Sequence, residues 1–149
     1  NFKTQAGDLI RKGFHDVYHM NAFIAENWCR TVSNDDKVFV LGDVAFTLDG
    51  LAWLKALPGQ KKLIHGNHDK FSTRVYLEIF KEICGARQID GYWLTHIPMH
   101  PSCVEHTKGN IHGHIHQRVI DHPKYLNVCV EQIGYTPLDF EEAKRLLVE

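Results

Sequence analysis

The chain has 149 residues, 17 Lys and Arg against 18 Asp and Glu, and a formal net charge of -1. That length suits one domain spanning residues 1–149, and the charge balance excludes a protein that coats nucleic acid or an anionic membrane by bulk electrostatics. No apolar run approaches the roughly 20 residues needed to cross a bilayer, and 44% hydrophobic content fits a chain with a packed core.

In chain order, the segment to Phe14 reads as loop. Asp16 is an expected helix N-cap, ahead of Val17, Met20, Ile24 and Trp28 at helical spacing. The run 37–41 reads as a buried strand ended by Gly42-Asp43, and 48–57 as a short helix closed by Pro58-Gly59. A second strand is expected over 61–65, followed by Gly66-Asn67-His68-Asp69, then a helix over 73–83 stopping at Gly85. Short strands are expected over 87–89, 92–96, 109–112 and 125–130, and a closing helix over 138–148. Helix and strand alternate first and strands dominate later, which predicts an α/β layered domain with a mixed sheet.

Eleven histidines are several times the usual share, and nine of them fall between His65 and His122. Imidazole is the commonest metal ligand and titrates near neutrality, so composition points to a metal or acid-base site. The four cysteines, Cys29, Cys84, Cys103 and Cys129, include no C-x-x-C pair. They read as reduced thiols of a cytoplasmic chain and as small hydrophobes.

Asp43, Asn67 and His68 follow predicted strands, where open α/β sheets gather their ligands. Gly42-Asp43 alone is a common turn, but a four-residue Gly-Asn-His-Asp string is far rarer by chance. His96 closes an apolar strand. In an extended segment His114 and His116 would share a face, as neutral ligands to one metal or to two adjacent ones.

These elements, in this order, resemble the calcineurin-like metallophosphoesterase superfamily, most closely its short, uncapped phage and bacterial branch. The resemblance rests on Gly42-Asp43, Gly66 to Asp69, His96 and Gly113 to His116, with softer likeness at Asn27-Trp28 and Asn127 to Glu131. It implies a four-layer α/β/β/α sandwich and two divalent metal ions, Mn²⁺ first, with Fe, Zn, Ni or Mg as alternatives. Asp43 would bridge the metals; Asn67, His96 and His114 would complete the second, and His116 would belong to the first. His68, steadied by Asp69, would face the substrate and either protonate the leaving oxygen or stabilise charge on the phosphoryl group.

The family's opening Asp-any-His strand has no counterpart here, so the sandwich would lack its first strand and an upstream segment is expected. His15, Asp16 and His19 are then the first candidates to replace the lost aspartate. Among the other histidines, His65 and His112 are expected to support the site and His100 to contact substrate. The implied activity is hydrolysis of a phosphomonoester or phosphodiester, small or nucleotide-like, in the cytoplasm, or in the host's for a phage-encoded chain. Nucleic acid is not indicated by the charge, so a nuclease is the rival reading, with a non-catalytic phospho-ligand module as the other.

Overall fold

The structure, a computed structural model, describes residue 11 and residues 13–147. The expected opening loop therefore lies largely outside the described residues. Among them the chain forms five helices and seven strands in two sheets, a mixed α/β fold. Among the described residues no helix is long and apolar enough to cross a membrane.

Helix α1 (Val17–Thr31) starts where Asp16 caps it, the carboxylate accepting the His19 amide at 2.7 Å. It buries Met20 and Trp28, and the Trp28 indole donates to the Pro58 carbonyl at 2.9 Å. The first sheet has the order β1 (Lys37–Val40), β2 (Gln60–Ile64), β3 (Glu82–Cys84), all parallel. Its strands are joined by α2 (Leu48–Ala56) and α3 (Thr73–Leu77), and Leu51, Leu63, Tyr76 and Phe80 form a buried core there.

The second sheet has the order β4 (Ala86–Ile89), β5 (Tyr92–Thr95), β6 (Gly109–His112), β7 (Tyr125–Asn127). Only β4 runs antiparallel to its neighbour. A one-turn helix, α4 (Pro101–Val104), lies between β5 and β6. The final helix α5 (Phe140–Leu146), capped by Asp139, places Ala143 beside Tyr92 and Ile111 in a second core.

Three expectations need correction. The helix expected over 73–83 ends at Leu77, because Glu82–Cys84 leaves helical geometry to pair with β2. Apolar residues 79, 80 and 83 fit a helical period, but a parallel neighbour more than 15 residues away in sequence decides the matter. The strand expected over 125–130 stops at Asn127, whose side-chain oxygen accepts the Cys129 amide and turns the chain. Finally, His114 and His116 do not share a strand face. Strand β6 ends at His112, and both histidines sit in a turn with left-handed backbone, at φ 70° and 52°.

Candidate metal centre

In both sheets the parallel strands present their carboxyl ends to the candidate site. Asp43 follows β1, Asn67 follows β2, His96 follows β5, and His114 and His116 follow β6. Two sheets thus deliver ligand-type side chains to one place, as parallel strand ends do in α/β proteins generally.

The turn after β1 brings Asp43 close to the turn after β2. Gly42 has φ 80°, and a Cβ there would meet His96 Nδ1 at 2.6 Å and the Gly66 backbone at 2.7 Å. A Cβ on Gly66 would overlap the Asp43 carboxylate. Both glycines are therefore required by close approach, which explains the Gly-Asp and Gly-Asn-His-Asp strings in steric terms. Asp43 itself adopts φ 51°. Asp43, His114 and His116 are three of the five described non-glycine residues at positive φ, so backbone strain gathers at the site.

The centre of the cluster is His96, 4% exposed. Its Nδ1 lies 2.7 Å from the Leu41 carbonyl, an acceptor only, so Nδ1 carries the proton and a neutral ring leaves a lone pair on Nε2. His96 Nε2 faces Asn67 Oδ1 at 2.9 Å, Asp43 Oδ2 at 3.2 Å and His114 Nδ1 at 3.2 Å. A single proton, on His96 Nε2 or on His114 Nδ1, serves only part of this contact set. A cation satisfies all of it. Burial, with His96 adjacent, lowers the His114 pKa and keeps it in the neutral, ligating form.

Asp69 requires a correction. Its carboxylate, 4% exposed, accepts the amides of Gly66, Asp43 and Val44 at 2.8–2.9 Å and does not meet the His68 ring. It clamps the two ligand turns together instead of steadying His68. His68 is held through its backbone, whose N–H donates to Asp43 Oδ1 at 2.8 Å. Its ring is exposed, 5.7 Å from that of Phe46.

His116 lies in a second group, with Cys129 and Glu131. Its Nδ1 is 3.2 Å from Glu131 Oε1, which also pairs with Arg11 Nε at 2.9 Å. Burial opposes ionisation of Glu131, but Arg11 and His116 hold its pKa below the usual range. Burial pushes the Cys129 thiol up. Asn127 organises the group, its amide donating to the His116 and Arg118 carbonyls while its oxygen accepts the Cys129 amide.

His15, Asp16 and His19 do not join either group. Asp16 caps α1, and the two imidazoles stack on each other at 5.1 Å. His100 caps α4 by accepting the Ser102 amide. His65 sits edge-on to Tyr76, and the wholly buried His112 bonds the Gly113 carbonyl at 2.9 Å. Sequence reasoning missed Cys129 and Glu131 as partners of His116, and also Asn110. Wholly buried, Asn110 accepts the Met99 amide and donates to the Trp93 carbonyl and Thr95 hydroxyl, fixing the segment that carries His96. An asparagine inside an expected short strand, Gly109–His112, was the available signal.

No family model matches the chain. It is 29% identical over 140 residues to the Gene 66 protein of Mycobacterium phage D29, covering 71% of this chain and 68% of that protein. A crystal structure of the protein of unknown function AQ665 from Aquifex aeolicus superposes with a TM-score of 0.73 at 27% identity, over 90% of this chain and 87% of that one. The uncharacterized protein MJ1445 of Methanocaldococcus jannaschii is 31% identical over 147 residues, covering 90% of this chain and 78% of its own length. With that identity and coverage, the chain belongs to the same family as MJ1445.

Proposed function

We propose that the chain is a metal-dependent phosphoesterase, built on the four-layer α/β/β/α plan of the calcineurin-like metallophosphoesterases and acting on a small phosphoester. The observation that carries this reading is the convergence of His96 Nε2, Asn67 Oδ1, Asp43 Oδ2 and His114 Nδ1, beside an exposed His68 outside the cluster. The donor set of one carboxylate, one amide oxygen and two imidazoles fits a divalent cation. Asp43, Asn67, His96 and His114 would hold one ion, and His116 would take part in holding a second. Bound divalent cations draw charge from phosphoryl oxygens and make water acidic enough to attack at neutral pH.

The chain's own contribution is positioning and proton transfer. Asp69 fixes the Asp43 and Gly66 backbones relative to each other, so the carboxylate and Asn67 keep their mutual placement. The Leu41 carbonyl holds the His96 tautomer. The His68 ring, beside that of Phe46 and held through its backbone, is exposed, where it can give a proton to the leaving oxygen. A structural metal site has no use for such an imidazole. No Ser or Cys nucleophile is required.

The test is to strip the protein with chelator, reload it with Mn²⁺, and assay an aryl phosphomonoester and an aryl phosphodiester. Turnover of at least one ester, lost on chelation and regained with Mn²⁺, is expected. A metal-loaded protein that hydrolyses neither ester would overturn the proposal.

A further inference from the structure

The group around His116 has a composition unlike that around His96. His116, Cys129 and Glu131 offer a ring nitrogen, a sulfur and a carboxylate oxygen, all within 4.8 Å of one another. From these residues we infer a distinct cation site of thiolate character, selecting Zn²⁺, Co²⁺ or Fe²⁺ over Mg²⁺ or Mn²⁺.

Two independent observations support it. The Glu131 side chain is 6% exposed, and its Oε2 is buried with no hydrogen-bond partner. Leaving such an acceptor unsatisfied costs on the order of 1–3 kcal/mol, more when charged, so a bound group is the natural occupant. The second observation is preorganisation. Asn127 ties the His116 turn to the Cys129 backbone with bonds of 2.7–2.9 Å, so the three donors are not brought together by chance contacts of mobile side chains.

Arg11 explains the choice of metal. Its guanidinium already takes Glu131 Oε1, so much of the carboxylate charge is balanced before any cation arrives. The remaining negative charge must come from Cys129 as thiolate, with its proton released to solvent on binding. A sulfur ligand excludes the hard ions and favours borderline ones. The inference shares His116 with the proposed phosphoesterase but does not depend on it, because its readout is spectral and not catalytic.

Titration with Co²⁺ tests the site. The wild-type protein should develop a near-ultraviolet thiolate-to-cobalt charge-transfer band that saturates at one sulfur-ligated ion per chain. The His96 cluster contains no sulfur and contributes nothing to that band. Cys129→Ser should lose the band while still binding cobalt at the His96 cluster, and Glu131→Gln should weaken its titration by tenfold or more. Circular dichroism of each variant separates lost ligation from lost folding. If Cys129→Ser fails to fold, the wild-type band and its sensitivity to Glu131→Gln still decide. Absence of the band in wild-type protein, or its persistence in a folded Cys129→Ser, would overturn the site.

Discussion

The His96 cluster draws Asp43 and Asn67 from the first sheet and His96 and His114 from the second, whereas His116, Cys129 and Glu131 all follow strands of the second sheet. The first cluster exists only where the two sheets meet. It depends on Gly42 and Gly66, which let two turns approach to contact, and on Asp69, which binds both. The second is assembled within one sheet by Asn127, and a cation from outside the strands, Arg11, already balances its carboxylate. The comparison teaches that histidines two residues apart, His114 and His116, serve different neighbourhoods because the turn at positive φ separates them.

Substitutions can break this division, and the largest effect is expected at Asp43. Asp43→Asn should empty the cross-sheet cluster and abolish phosphoester turnover, since the only carboxylate in it is neutralised. Elemental analysis checks this; an undiminished metal content in the variant would refute the assignment. The His116 cluster should keep its cobalt band, which separates the two regions directly.

His68→Ala should lower turnover on a poor leaving group by about 10²–10⁴-fold, the usual worth of a general acid. Metal content should stay at the wild-type level, because the His68 ring touches no ligand atom and its backbone N–H survives the change. Parallel loss of metal and activity would place His68 in the metal cluster.

Asp69→Asn should act on stability before chemistry. One acceptor oxygen must then serve where two carboxylate oxygens took three amides, and an amide N–H faces a backbone donor. A loss of about 1–3 kcal/mol is expected in denaturant unfolding, together with weaker metal binding. Unchanged stability would show that the clamp is dispensable. The smallest effect is expected at His100, which caps a single turn. His100→Ala should cost under about 1 kcal/mol and leave KM unchanged; a raised KM would return His100 to the substrate.

Much of the cross-sheet cluster was legible in the sequence, for a steric reason. A strand that must end in a close approach needs glycine at a fixed offset, so Gly42-Asp43 and Gly66-Asn67 carry their geometry in their spelling. The Asp16 cap of α1 and the strand over 109–112 were legible on the same local grounds. Adjacency misled at Asp69, whose partners are backbone amides of another turn and not the neighbouring imidazole. Periodicity misled at Glu82–Cys84, where pairing with β2 outweighed a helical pattern. Cys129 and Glu131 were not legible as partners of His116, because only the parallel alignment of β7 with β6 brings them to the same end.

The division of ligands between two sheets has a consequence for folding. Neither sheet alone offers more than two groups of the His96 cluster, so a cation there cannot bind strongly until both sheets have docked. Once bound, it acts as a rivet across the seam between them. Ligand that binds only the native chain at 100 times its Kd adds about 2.7 kcal/mol of stability. That gain falls on the opening motion that parts the sheets, not on fraying within either one. Chelation should therefore loosen the molecule along a single plane, and amide exchange should quicken first in the turns after β1, β2, β5 and β6, while the strands behind them stay closed.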